Sequence, residues 1–263
     1  MFKNLSFFSL TTFICCLCIT TPTLGTQLEL LTFGDSITAG LRRSSSGVIS
    51  CPEGVAFAPA LFSDFDGLVC NGEGAEGVGG YQPTLKSSLE DLGYTPLVYN
   101  YGFSGLLTSE MVGLTSPFLA AEPNSDYVLV MGGANDAFRD VSTSTVNFNI
   151  QSMIRTICRR DMIPVITTVT RRQSSSTINN TVISYNNAIN QIGNPSDCSG
   201  RNIQLITADQ YNATIDASNY SDGLHLTGIG NLNMANEWFR ALGLPSLLNN
   251  SSFLPSIYLL LND

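Results

Sequence analysis

The chain contains one histidine, His225, and it stands three residues after an aspartate in Asp222-Gly223-Leu224-His225. Far upstream, directly after an apolar run, lies Gly34-Asp35-Ser36. A serine hydroxyl is a poor nucleophile until a neighbouring imidazole takes its proton, and a carboxylate fixes that imidazole's tautomer. Ser36, His225 and Asp222 are therefore candidates for the nucleophile, its general base and the group that orients the base. With a single imidazole in the protein, the base has no rival. Three residues apart with glycine between them, Asp222 and His225 can meet within one turn and leave the second ring nitrogen for Ser36. The plain alternative is a lone surface histidine. Its Asp-x-x-His setting ahead of a helical pattern speaks against that.

Acyl transfer by a serine also needs donors for the oxyanion of the tetrahedral intermediate. Ser36 opens a helical segment, where its own N–H can point at such a charge. Gly132-Gly133-Ala134-Asn135-Asp136 follows a continuous apolar run, and the Asn135 amide can serve as a second donor. A turn asparagine that caps the next helix is the alternative there. Asn100-Tyr101-Gly102-Phe103-Ser104-Gly105 follows another apolar run, and a glycine in it can bring a backbone N–H to the same point.

These motifs must be held by elements. Leu28 to Phe33 reads as a strand that ends at the Gly-Asp-Ser turn. Leu85, Leu89 and Leu92 recur at helical spacing before a strand at Leu97-Val98-Tyr99. Tyr127 to Met131 is apolar throughout, as expected of a strand buried on both faces. Val146, Ile150, Met153, Ile154 and Ile157 mark a helix, Ile163 to Val169 a strand, Val182, Ile189 and Ile192 a helix, and Ile203 to Ile206 a strand. Ile229, Leu232, Phe239 and Leu242 predict a last amphipathic helix. Five short strands alternating with helices indicate an α/β fold, a parallel sheet with helices on both faces. Ligands of such sheets bind beyond the carboxyl ends of the strands, which is where every motif above falls. The segment from about 42 to 80 does not fit the alternation. It reads as an insertion loop near Ser36, able to cover or shape a pocket, or else as a surface loop that does not touch substrate. Its Gly72 to Gly80 stretch lacks the Lys-Ser/Thr and the preceding strand of a phosphate cradle.

Residues 1–25 have a positive start at Lys3, an uncharged apolar stretch from Leu5 to Ile19 and small residues before position 26, the outline of a secretory signal peptide. A retained membrane anchor is less well matched, because a span needs about 20 apolar residues. The expected mature protein, 26–263, is a single domain with 11 basic against 21 acidic residues, a net charge of −10 that disfavours nucleic acid and anionic membranes. It is expected to be secreted, extracellular or periplasmic, monomeric and without stable membrane insertion. Cys51, Cys70, Cys158 and Cys198 remain after cleavage, and three pairings are open to them. The nearest-neighbour pairing, Cys51–Cys70 and Cys158–Cys198, is the expectation in an oxidising compartment. Among these four no C-x-x-C spacing occurs, and with no second histidine a metal site is not suggested. Glycosylation sequons occur at Asn179, Asn212, Asn219, Asn249 and Asn250, and Asn219 is expected to be bare because a glycan there would crowd Asp222. The apolar tail, Phe253 to Leu261, is expected to pack on the body.

Gly-Asp-Ser at 34–36, Gly-x-Asn-Asp at 133–136 and Asp-x-x-His at 222–225 occur in the order found in the SGNH (GDSL) hydrolase family, which the chain resembles over about residues 28–242. Leu226 stands where that family often has proline, at a position with no chemical role. The resemblance implies a three-layer α/β/α, flavodoxin-like sandwich with a five-stranded parallel sheet. It also implies ester hydrolysis through an acyl-enzyme, with no metal or organic cofactor. Ser36 would be the nucleophile, His225 the general base and acid, and Asp222 the orienting carboxylate. The oxyanion would be held by Ser36 N–H, Asn135 and a glycine that best matches Gly105, with Gly102 as runner-up. The substrate expected is a small-molecule or carbohydrate ester with a short acyl group, such as acetyl. A lipase or lysophospholipase using the apolar residues of the insertion is the second enzyme reading, and a carbohydrate-binding protein without catalysis the third. Retention of Ser36, Asn135, Asp222 and His225 argues against the last.

Overall fold

Five of the apolar runs pair side by side in one direction and place their motif-bearing ends together. A computed structural model of the protein describes residues 25–43, 49–51, 56–59, 68–71 and 73–247. The first half of the described chain comprises β1 (Gln27–Gly34), α1 (Ser36–Ala39), β2 (Arg42–Arg43), β3 (Ile49–Ser50), β4 (Ala56–Pro59), β5 (Leu68–Asn71), β6 (Ala75–Glu76), α2 (Gln82–Glu90), β7 (Thr95–Gly102) and α3 (Thr108–Ala121). The second half comprises β8 (Tyr127–Met131), α4 (Ala134–Phe138), α5 (Thr143–Cys158), β9 (Ile163–Thr167), α6 (Ser176–Ile189), α7 (Ser196–Ser199), β10 (Ile206–Ala208), α8 (Gln210–Ala213), a 3-10 turn (Ala217–Asn219) and α9 (Gly228–Leu242).

The main sheet runs in the order β10-β9-β8-β1-β7-β6. Every pair from β10 to β7 is parallel, and β6 joins β7 antiparallel through Ala75 and Glu76. The sheet thus has six strands where five were expected. The sixth is a two-residue edge inside a Gly-rich stretch, too short to leave an apolar signature. Both neighbours of β1 come later in the chain, so the strand order reverses there and opens a crevice at its carboxyl end. The register aligns Gly34 with Gly102 on one side and with Met131 on the other. Loops leaving β1, β7 and β8 therefore start at one level, and they carry Ser36, Gly105 and Asn135.

Leu30, Leu31 and Phe33 of β1 and Val128 to Met131 of β8 are buried, as a sheet covered on both faces requires. Helices α3, α5 and α6 pack in succession, and α2 packs on α9, giving the two helical layers. Each fully buried aliphatic or aromatic side chain stabilises this arrangement by about 1.5–3 kcal/mol.

Two other expectations shift. The strand read at Ile203 to Ile206 begins only at Ile206, because Ile203 N–H closes the turn after α7 on Cys198 and Leu205 N–H donates to Asn194. In α9 the expected apolar face holds only at the C-terminal end, where Leu242 is buried and Phe239 packs on the core; Ile229 and Leu232 are exposed, whereas Met234, Ala235 and Trp238 are buried. Trp238 reaches Tyr81, and that contact sets the helix's rotation. Helix α3 has no counterpart in the sequence reading, since its Gly113, Pro117 and hydroxyl residues blur the periodicity.

Cys158 and Cys198 are joined, tying α5 to α7. Cys51 is disulfide-bonded, but the Cys70 side chain lies outside the described residues. So do residues 1–24 of the expected signal peptide, most of the insertion and the tail. In the insertion's described parts, β2 pairs with β3 and β4 with β5, both antiparallel. Among the described residues no helix is long and apolar enough to cross a membrane.

Candidate active site

Ser36 sits where β1 gives way to α1. Asp35 caps that helix, its Oδ1 accepting the Ile37 N–H at 3.0 Å. Gln82 ties the turn down by donating to the Thr38 carbonyl at 2.8 Å and to the Thr32 hydroxyl at 3.0 Å. Ser36 is only 3% exposed, and its Oγ lies 3.0 Å from His225 Nε2. On the far side of the ring, Nδ1 lies 2.8 Å from Asp222 Oδ2. The other Asp222 oxygen accepts the N–H groups of Leu224 and His225 at 3.0 and 2.7 Å. One carboxylate therefore folds its own loop and orients the ring at once.

Burial by itself raises the Asp222 carboxyl. The hydrogen bonds from the His225 ring and backbone, together with the imidazole's charge, outweigh it and hold the group well below the usual carboxylate range. An ionised Asp222 accepts Nδ1–H, which leaves Nε2 with a lone pair toward the Ser36 hydroxyl.

The loop after β7 separates the two candidate glycines. Gly102 N–H donates to Asn100 Oδ1 at 2.9 Å, and a Cβ on Gly102 would stand 2.1 Å from Ala39 N. Gly102 is thus the close-contact point between β7 and α1. Gly105, at φ +82°, has an N–H with no partner among the described residues, and the same holds for Ser36 N–H. Asn135 lies in the first turn of α4, whose cap is Gly133, so Asn135 is not itself the cap. Its amide donates one hydrogen to the Leu106 carbonyl at 3.0 Å, leaving the other free.

Three residues that fix this turn were not assigned from the sequence. Asp136 is buried, and its carboxylate takes the Thr108 hydroxyl at 2.6 Å and the Thr108 N–H at 3.0 Å. Asn149 donates to the same hydroxyl at 3.0 Å. Burial pushes the Asp136 carboxyl up, against the pull of the Thr108 bonds. Asp136 adjoining Asn135 was a visible signal, but Thr108 and Asn149 belong to helices that only the fold brings near. Asn219 is buried, and its side chain accepts from Asn233 at 2.9 Å, so it offers no face to a glycan.

A three-layer α/β/α fold with hydroxyl, imidazole and carboxylate in line at the carboxyl end of its sheet is an arrangement suited to acyl transfer. A sequence model of the GDSL-like Lipase/Acylhydrolase family matches residues 32–231, and the chain belongs to that family, the carboxylic ester hydrolases of SGNH/GDSL type. No curated protein matches the sequence. Among solved structures, an acetylxylan esterase from Geobacillus stearothermophilus is similar at 18% identity and TM-score 0.57, over 86% of this chain and 99% of that one. A lipase/acylhydrolase from Enterococcus faecalis is similar at 19% identity and TM-score 0.54, over 84% and 100%. A member of the lipolytic G-D-S-L family from Veillonella parvula matches at 18% and TM-score 0.55, over 84% and 100%. These likenesses show the fold.

Proposed function

We propose that this protein is a secreted serine esterase that hydrolyses short-acyl carboxylic esters, with acetyl groups on carbohydrate as the favoured substrates. The unbroken line Ser36 Oγ, His225 Nε2, His225 Nδ1, Asp222 Oδ2, with contacts of 3.0 and 2.8 Å, carries the reading. Ser36 Oγ attacks the ester carbonyl carbon as its proton passes to Nε2. The oxyanion is met by the N–H groups of Ser36 and Gly105 and the free amide hydrogen of Asn135. Collapse breaks the bond to the alcohol oxygen, which leaves with the proton from Nε2. Water then attacks the acyl-enzyme with His225 again as base, releasing the acid and restoring Ser36. Asp222 keeps its negative charge throughout and stabilises the transient imidazolium.

The acetylxylan esterase among the similar structures favours acetylated carbohydrate. The sequence outline of a signal peptide at 1–25 and the Cys158–Cys198 bridge favour secretion of a single domain, 26–263, into an oxidising compartment. The apolar residues of the insertion in the sequence (Val55, Ala56, Phe57, Ala58, Leu61 and Phe62) favour a second reading in which a long acyl chain is bound.

Turnover of p-nitrophenyl esters from acetate to palmitate, beside Ser36→Ala, tests both readings. Activity that falls steeply beyond butyrate and drops at least about 10⁴-fold in Ser36→Ala is expected. A maximum at long chains would favour the lipase reading. Undiminished activity of Ser36→Ala would overturn both.

A further inference from the structure

One wall beside the catalytic line has no part in the chemistry above and is built from unlike materials. Phe138, the last residue of α4, is 63% exposed. Residues three apart share a helix face, so Phe138 lies on the same side of α4 as Asn135. The Arg172 guanidinium stands 5.9 Å from the centre of its ring. Arg172 Nε donates to Ser174 at 3.0 Å, and among the described residues no carboxylate forms an ion pair with it and its terminal amino groups have no acceptor. An exposed ring and a half-buried cation with free donors thus stand side by side.

The segment that carries Arg172 is pinned from two sides. Arg172 N–H donates to Asn179 of α6 at 3.1 Å, and Gln173 N–H donates to the Gly223 carbonyl at 2.9 Å. The second bond ties it to the loop of Asp222 and His225, and Arg172 is close enough to Asp222 for their charges to attract. That location decides which part of an ester meets it. The leaving oxygen must lie near His225 Nε2 to receive its proton, whereas the oxyanion points to Ser36, Gly105 and Asn135. A group on the histidine side therefore meets the alcohol, not the acyl chain.

We infer that Phe138 and Arg172 form the alcohol-side subsite and select a polyhydroxylated ring, a neutral sugar of an acetylated oligosaccharide. The inference rests on the carbohydrate-ester reading above. A pyranose presents C–H groups to the open face of an aromatic ring and hydroxyl oxygens at its edge, which the free N–H groups of the guanidinium can reach. The net charge of −9 works against an anionic substrate and leaves the single fork of Arg172 to neutral oxygen acceptors. Rigid attachment on both flanks means that the donors are placed before substrate arrives.

The test compares acetate release from acetylated xylooligosaccharides and from ethyl acetate, whose alcohol is too small to span the subsite. Phe138→Ala and Arg172→Gln should each raise KM for the oligosaccharide more than they lower kcat. Each should cut the ratio of the two kcat/KM values by about tenfold, the scale of one lost stacking or cation–π contact. Phe138→Trp should keep the ratio near wild type, and Arg172→Lys should restore only part of it because the fork is gone. An unchanged ratio in Phe138→Ala overturns the subsite and leaves the esterase reading standing. Wild-type protein that hydrolyses ethyl acetate but no acetylated oligosaccharide overturns the carbohydrate reading and the subsite together. Should Arg172→Gln fail to fold, the two Phe138 variants decide alone, since that side chain is largely outside the core.

Discussion

The loop of Asp222 to His225 and the turn of Gly132 to Asp136 both deliver a polar side chain to the same crevice, yet they are held in opposite ways. Asp222 holds its loop from within, accepting N–H groups two and three residues ahead and the ring nitrogen of the second. The turn at Asn135 is held from outside. Asp136 grips Thr108, Thr108 is gripped by Asn149, and Asn135 itself leans on the Leu106 carbonyl. Their carboxylates differ to match. Asp222, partly open to solvent, is held well below the ordinary range by its donors, whereas buried Asp136 is pushed up. A local device keeps its charge cheaply. A remote one depends on helices packed from far along the chain.

The largest effect should come from Asp222→Asn, which keeps the loop's acceptor but presents an amide where Nδ1–H needs a carboxylate. A fall in kcat of about 10⁴ at pH 7 is expected from the wrong tautomer, read directly in steady-state kinetics. A loss of under tenfold would show that the loop, not the charge, is what matters. In the wild type, Asp222 stays ionised through the acid range, so its own titration should leave no mark on the acid limb of kcat/KM. A residually active His225→Gln variant that retains the limb would point to another base.

Next in size is a stability effect at Asp35, whose buried carboxyl is lifted to about 7 by burial, with Asp136's charge adding to it. A folded value above the unfolded one of about 3.9 means stability is full below that pH and declines as pH rises to about 7, by roughly 4 kcal/mol in all. Asp35→Asn abolishes the decline. The Tm of the variant relative to wild type should therefore climb between pH 4 and 7 and level off above. A difference that is flat with pH would mean that Asp35 ionises normally.

Asn135→Ala should lower kcat by about 100- to 1000-fold with little change in KM, as expected for a donor used only once negative charge develops. A matched rise in KM instead would make Asn135 a ground-state contact. The smallest change, and the sharpest for the comparison, is Thr108→Val. It removes a buried hydroxyl that both Asp136 and Asn149 use and should cost about 1–3 kcal/mol of stability. If the clamp positions Asn135, Thr108→Val should also lower kcat, and this loss should shrink in an Asn135→Ala background. Additive losses in the double variant would detach the clamp from catalysis.

The same contrast explains what could be read in advance. Ser36, Asp222 and His225 stood out because an apolar strand, a tight turn and an i,i+3 pair are short-range patterns. The β8 run Tyr127–Met131 was bounded correctly for a similar reason, being apolar at every position. Misreadings fell where distant partners decide. Ile229 and Leu232 have helical spacing but face outward, because Trp238 is drawn in toward Tyr81. The edge strand β6 exists only because β7 offers it a partner.

The sequence by itself determined the alternation of strands and helices, the family, the candidate nucleophile and the candidate base, since each depends on residues that are neighbours in the chain. It preferred Gly105 to Gly102 only by resemblance to the family's segment. The tertiary structure separated them, because the Gly102 N–H is spent on Asn100 and its α-carbon is pressed against α1. It also supplied Thr108 as the hand on Asp136, Asn149 as the hand on Thr108, and Arg172 beside Phe138. Those partners lie dozens of residues apart, and a parallel sheet brings them together only once its crossover helices have packed.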